Sequence, residues 1–314
     1  MEQLLPIVHR TPLKRSKTID DMTGQAVFLK MENTQKTGSF KIRGATHKIF
    51  SLADHDMKKG VIAASAGNHA QGVALAAAKR GISAKIFMPL LAPLTKVRAT
   101  EAYGAKVVLT GETYQEAYEA ALTESGTFVH AFDDPDVIAG QGTVAFEMLQ
   151  QCPDLDAILV PVGGGGLLAG TAIAVKSSQP SIKVIGVQAE GAAATYNRFK
   201  TQGQWRLTSV KSIADGILVK ETGQLTYPII EQYVDDMLTV SDQDIARAIL
   251  LMLEREKTFV EGAGAAALAA LLYKPLKNLG KKIGVMITGG NADPKNIPQY
   301  IDLAFNTQMK SGII

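Results

Sequence analysis

The sequence predicts an α/β protein built from open, twisted, mainly parallel sheets flanked by helices. Three observations carry that expectation. Short runs rich in β-branched residues alternate with Ala/Leu-rich helical patterns along the chain. Those runs are apolar at nearly every position, as strands buried on both faces are. Glycine clusters fall at the ends of several runs, where a parallel sheet leaves the loops that hold ligands.

Taken in order, the first strands are expected at 26–30 (AVFLK), 60–64 (GVIAA), 84–88 (AKIFM) and 105–109 (AKVVL), with helices at 70–79 and 114–124. A second series follows at 157–162 (AILVPV), 183–188 (KVIGVQ) and 282–287 (KIGVMI), with helices at 167–176, 242–257 and 262–272. The polar stretch 190–212, which holds the single Trp205, is expected to be irregular, and the tail 306–314 to be loosely held. No period of tens of residues repeats, so a solenoid is excluded. Two lobes are expected: a small mobile one at 51–137, inserted into a large one made of 1–50 and 138–314.

Composition removes several classes of function. At 314 residues, 46% hydrophobic and 20% charged, the chain is ordinary for a soluble globular protein. A net charge of +3 without a Lys/Arg run gives no nucleic-acid footprint. The longest small-apolar stretch, 262–273, falls short of the ~20 residues that span a bilayer, and residues 1–10 lack a signal-peptide layout. Neither nucleic acid nor membrane is therefore an expected partner. Cys152 is the only cysteine, so no intrachain disulfide forms and a cytoplasmic setting is expected. It precedes Pro153 and reads as a partly buried small residue rather than a nucleophile. The five histidines, His9, His47, His55, His69 and His130, show no metal-ligand spacing, so no metal is expected.

Four loops carry chemistry. In 37–44 (TGSFKIRG), Lys41 lies between Phe40 and Ile42. Burial there lowers an amine's pKa and exposes a nucleophile, although a lone lysine is far more often a surface charge. In 64–69 (ASAGNH), Ser65 and Asn68 suit a plain helix cap, and equally a small pocket of free N–H groups for a carboxylate. In 162–167, Gly163, Gly164, Gly165 and Gly166 precede Leu167 at a strand-to-helix turn. Bare amides there form a phosphate cradle, and a mere turn would not require four glycines. In 287–291 (ITGGN), Thr288 sits at a strand's carboxyl end. A competing pattern overlaps the third loop: Gly164-x-Gly166-x-x-Ala169, followed by Glu190, satisfies the loose dinucleotide fingerprint. A nicotinamide-dependent oxidoreductase would explain that segment alone and leave the other loops without a role.

Taken together and in this order, the four loops resemble the fold-type II pyridoxal phosphate enzymes. More narrowly they resemble the serine/threonine dehydratase (ammonia-lyase) branch, which also contains serine racemases. Further matches are 139–143 (AGQGT), 214–216 (ADG) and 260–264 (VEGAG). The resemblance spans nearly the whole chain and implies two lobes around one cleft holding pyridoxal 5'-phosphate. Lys41 would carry the cofactor as a Schiff base and take the substrate's α-proton. Phe40 would pack on the ring, Asn68 would bond its phenolic oxygen, and Thr288 would face its nitrogen. Gly163 to Gly166 with the Leu167 amide would hold the phosphate, with Gly216 and Glu261 also against the cofactor. Ser65, Asn68 and His69 would surround the carboxylate of a small amino acid. The implied reaction is loss of water and ammonia from L-threonine, and from L-serine, in a homodimer or homotetramer.

Departures refine the implication. Racemases of this branch place a second serine in the substrate loop, where this chain has Ala66, so elimination is expected over racemisation. Their acidic metal ligand is Gln188 here, which counts against a divalent cation. About two dozen residues follow Asn291, too few for a regulatory domain, so no isoleucine feedback is expected. The close spacing of Met1 to 9–13 (HRTPL) implies loss of an N-terminal helix found in relatives.

Overall fold

Strand pairing divides the chain into two sheets. In the computed structural model, which describes residues 4–309, the strands are β1 (Leu13–Arg15), β2 (Ala26–Met31), β3 (Val61–Ala64), β4 (Ala84–Met88), β5 (Lys106–Leu109), β6 (Thr127–Phe128), β7 (Ala157–Pro161), β8 (Lys183–Ala189), β9 (Asp236–Val240) and β10 (Lys282–Ile287). One sheet has the order β1-β2-β10-β7-β8-β9, the other β5-β4-β3-β6. Only the β1–β2 pair is antiparallel. The expected α/β class holds, and the expected strands are present.

The central strands of both sheets, β3 and β4 in one and β7 and β10 in the other, are largely buried for the reason the sequence suggested. All five residues of β7 are buried, as are five of the six in β10, so each face must be covered by helices. The helix Gly262–Tyr273 is apolar all round and is buried from Gly262 to Leu271. At its start, Gly264 packs so close to the Gly289 carbonyl that a Cβ would collide with it. That contact brings the helix N-terminus against the turn that follows β10.

Lys41 does not lie in a loop, as its Ser/Gly-rich surroundings suggested, but opens the helix Lys41–Phe50. Gly44 lies inside that helix because backbone must approach backbone there: a Cβ on Gly140 of the helix Pro135–Gln151 would stand 2.6 Å from Gly44 Cα. On its other side, Gly142 meets the helix Gly166–Ser178, where a Cβ would stand 2.7 Å from the Gly170 carbonyl oxygen. The helix Pro135–Gln151 is thus a tight spacer between the lysine helix and the helix of the glycine loop.

A buried ionic network fixes the lysine helix from below. Arg43 grips Glu32 at 2.7 and 2.8 Å and Glu147 at 2.8 and 2.9 Å. Lys30 bonds Glu147 at 2.7 Å, and Thr11 Oγ1 donates to Glu32 at 2.5 Å. All four charged side chains are fully buried. Two cations and two anions balance, which is what makes burial of such groups tolerable. The N-terminal residues Leu4, Ile7 and Val8 pack with Ile42, Ala45 and Ile49 into the core under β3 and β4.

Other expectations are corrected. The helix expected over 242–257 is α-helical as Asp242–Leu251, then widens into a π turn, Met252–Glu256. Lys14 and Ser16 hold Glu256 at 2.7 and 2.5 Å, tying that turn to the start of the chain. The stretch expected to be irregular contains the helix Ala194–Phe199. Arg198 there stacks on Trp205 and Tyr227, 4.5 and 3.7 Å from the ring centroids. In the tail, residues to Met309 continue the helix Ile297–Met309, and 310–314 lie outside the described residues. Among the described residues no helix is long and apolar enough to cross a membrane.

Candidate active site

A cavity of about 1290 Å³ is lined by residues that follow the carboxyl ends of β3, β6, β7 and β10, where parallel sheets place ligands. Every site residue expected from the sequence lines it: Phe40, Lys41, Ser65, Asn68, His69, Gly163, Gly164, Gly165, Gly166, Leu167, Gly216, Glu261 and Thr288.

The Lys41 amine donates to the Ala131 carbonyl at 2.8 Å and lies 5.3 Å from the Phe40 ring centroid. Burial lowers its pKa to about 8, against an opposing pull from the Glu261 carboxylate. The free-base fraction near neutral pH is therefore far larger than for an exposed lysine, which suits a nucleophile or base.

The turn after β10 stitches the loops together. Phe40 N–H donates to the Thr288 carbonyl at 3.1 Å, and Gly290 N–H to the Gly38 carbonyl at 2.9 Å. Asn291 Nδ2 donates at 2.8 Å to both the Thr37 carbonyl and Asn68 Oδ1. Asn68 Nδ2 in turn donates to Glu261 Oε1 at 2.7 Å. Gly289 is glycine because a Cβ would strike that carboxyl. Burial, reinforced by Asp215, raises the Glu261 pKa to about 7. The Thr288 hydroxyl reaches the Ala263 carbonyl at 3.3 Å.

The glycine loop is shaped by Phe132. A Cβ on Gly164 would clash with the Phe132 ring, and one on Gly166 would stand 2.8 Å from the Phe132 carbonyl oxygen. Gly165, at φ +96°, supplies the left-handed turn that starts the helix Gly166–Ser178. First-turn amides of such a helix have no partner within it and face an anion site. Gln188, which stands where racemases carry a metal ligand, spends its amide on structure: it donates to the Gly163 carbonyl at 3.4 Å and accepts from Tyr196 N–H at 2.7 Å. Glu190, the acid of the dinucleotide pattern, is half exposed, pairs with Lys274 at 3.3 Å and is absent from the cavity lining.

On the loop 64–69, Ser65 Oγ accepts from Gly67 N–H at 3.2 Å, and Asn68 opens the helix Asn68–Arg80. The His69 ring turns away from the loop and bonds the Val129 carbonyl through Nε2 at 2.8 Å. Burial lowers its pKa to about 3, so it is a neutral ring. His130, Ala131, Phe132, Asp133, Gln141 and Asn291 also line the cavity and escaped the sequence reading as site residues. The signal that could have found the first four is Asp134-Pro135, a helix cap followed by proline at the first helical position, placing 130–133 between a strand and a helix.

A desolvated amine and a glycine cradle lining one cleft are the arrangement of α/β enzymes that hold a phosphorylated carbonyl cofactor on lysine. Comparison with known proteins makes the class specific. The chain belongs to the pyridoxal-phosphate dependent enzyme family, whose model matches residues 4–289. It is 49% identical over 310 residues to an L-threonine ammonia-lyase of Thermotoga maritima, covering 98% of this chain and 76% of that protein. The processed form of threonine deaminase isoform 2 from Solanum lycopersicum superposes with a TM-score of 0.91 at 36% identity, over 96% of this chain and 85% of that one. Maize serine racemase superposes with a TM-score of 0.91 at 36% identity, over 98% and 96%.

The residues present fit pyridoxal phosphate. The cradle offers amides where side chains are excluded, the amine is desolvated, and the surrounding cleft has room for cofactor and substrate together.

Proposed function

We propose that this protein is a lyase that eliminates the β-hydroxyl of L-threonine, and of L-serine, as water; hydrolysis of the resulting enamine takes a water back up and releases ammonia, leaving 2-oxobutyrate or pyruvate. The observation that carries the reading is the desolvated Lys41 amine lining one cavity with the glycine cradle, in a chain closely similar to a threonine ammonia-lyase. Bound pyridoxal phosphate supplies an electron sink for charge that develops at the substrate's α-carbon. Lys41 would hold the cofactor, and its amine, when free, would take the α-proton. Phe40 would pack on the ring, and the 163–166 amides with that of Leu167 would hold the phosphate. Asn68, positioned by Glu261 and Asn291, would bond the ring's oxygen, and Gly216 would leave room beside Glu261. Thr288 would offer a hydroxyl, not a carboxylate, to the ring nitrogen, which would favour prompt loss of the β-hydroxyl over transamination. Ser65, Asn68 and the amides near His69 bind the carboxylate.

The small lobe, 51–137, closes over substrate and excludes water, moving against 1–50 plus 138–314. A single buried cysteine suits a reducing, cytoplasmic setting. We assign a homodimer or homotetramer on the family resemblance.

The serine racemase relative makes racemisation the second reading. Ala66 argues against it, because a methyl has no proton to exchange on the face opposite Lys41. With L-threonine, 2-oxobutyrate and ammonia are expected in equal amounts. With L-serine, pyruvate is expected well ahead of any D-serine. D-serine formed as fast as pyruvate would move the protein to the racemase reading, and no 2-oxo acid from either substrate would end the lyase reading.

A further inference from the structure

We propose that His130 is a positioning residue for Lys41: its Nδ1 gathers the Phe132 and Asp133 amides into a turn that aims the Ala131 carbonyl at the lysine amine. The inference rests on Lys41 being the cofactor lysine. His130 Nδ1 accepts from Asp133 N–H at 2.8 Å and from Phe132 N–H at 3.2 Å. A nitrogen that accepts twice carries no proton, so the ring is the neutral tautomer with its hydrogen on Nε2. Burial also pushes this imidazole's pKa down, which keeps Nδ1 available as an acceptor.

Each residue of the turn grips a different part of the site. The Ala131 carbonyl accepts from Lys41 Nζ at 2.8 Å. The Phe132 ring packs where a side chain at Gly164 would be. The Asp133 carboxylate accepts from the Gln224, Leu225 and Thr226 amides at 2.9, 2.9 and 3.1 Å. Thr226 Oγ1 then donates to the Gly164 carbonyl at 2.7 Å. The His130 ring is itself fixed edge-on against Phe132, with centroids 4.6 Å apart, and against Tyr118 at 6.3 Å. Four consecutive residues therefore set the amine and the phosphate cradle in one frame, and His130 closes that turn. When the amine is released from the cofactor, the Ala131 carbonyl is the acceptor that keeps it pointed.

Two substitutions separate the acceptor from the ring. H130F keeps a ring in the aromatic cluster and removes the acceptor. H130N removes the ring and sets a carbonyl oxygen close to the place of Nδ1. Covalent loading of pyridoxal phosphate onto Lys41 in cofactor-free protein, followed by absorbance and fixed with borohydride, is the first readout. Turnover of L-threonine, with the rate effect of deuterium at the α-carbon, is the second. With a misaimed amine, H130F should load ~10-fold more slowly and show kcat ~10- to 100-fold lower, with a larger deuterium effect and KM within ~3-fold. H130N should recover most of both rates. H130F indistinguishable from the parent, H130N as slow as H130F, or a change in KM alone would overturn the assignment. If the parent protein turns over no threonine, the lyase reading fails, and the loading comparison still decides the role of His130.

Discussion

Replacing Lys41 with alanine is expected to lower threonine turnover by roughly 10⁴-fold, the upper range of what a positioned acid–base group contributes, and to leave the folded protein intact. The amine is partly buried and desolvated, and its hydrogen-bond partner is a neutral carbonyl, with the Glu261 carboxylate acting only through space. Removing it relieves a desolvated cation instead of orphaning a counter-ion, so thermal stability of the cofactor-free protein should not fall. K41R is the sharper control. It keeps a positive charge at the helix start but cannot serve as an imine-forming amine or a base near neutral pH. Steady-state rates for the three proteins, with unfolding midpoints measured alongside, check the expectation. A K41R protein with more than a few per cent of parental turnover would remove Lys41 from the chemistry.

The second large effect is expected at the cradle. A Cβ at Gly164 would clash with the Phe132 ring, so G164A must push that ring aside and disturb the glycine loop. Overpacking of this kind costs about 1–3 kcal/mol, and charged to the bound state it weakens cofactor affinity by roughly 10- to 100-fold. Gly67 supplies the contrast, since a Cβ there meets nothing within 4 Å. G67A should bind pyridoxal phosphate as the parent does. Equilibrium titration of cofactor-free protein measures all three. Equal affinities for G164A and the parent would mean that the glycine run does not hold the phosphate.

The strands and the site loops were legible in the sequence because each advertises itself locally. Continuous apolar runs mark β2, β7, β8 and β10, and four successive glycines mark the cradle. The lysine helix was not legible. Gly44 discourages a helix in isolation, and only the approach of Gly140 and Gln141, nearly a hundred positions away, explains it. The ionic network is hidden for the same reason: Lys30 and Arg43 find Glu147 across 117 and 104 positions. His130 was weighed only as a metal ligand. Its role works through backbone amides and a carbonyl, which every residue carries and no motif records.

The most direct test of the central claim is to load the protein with pyridoxal phosphate, reduce it with borohydride and map the modified lysine by mass spectrometry. Lys96 and Lys220 line the same cavity, so the outcome is a choice among lysines. The expected result is one cofactor adduct per chain on Lys41, with loss of threonine turnover in proportion. An adduct on Lys96 or Lys220 with Lys41 unmodified, or full turnover after reduction, would contradict it.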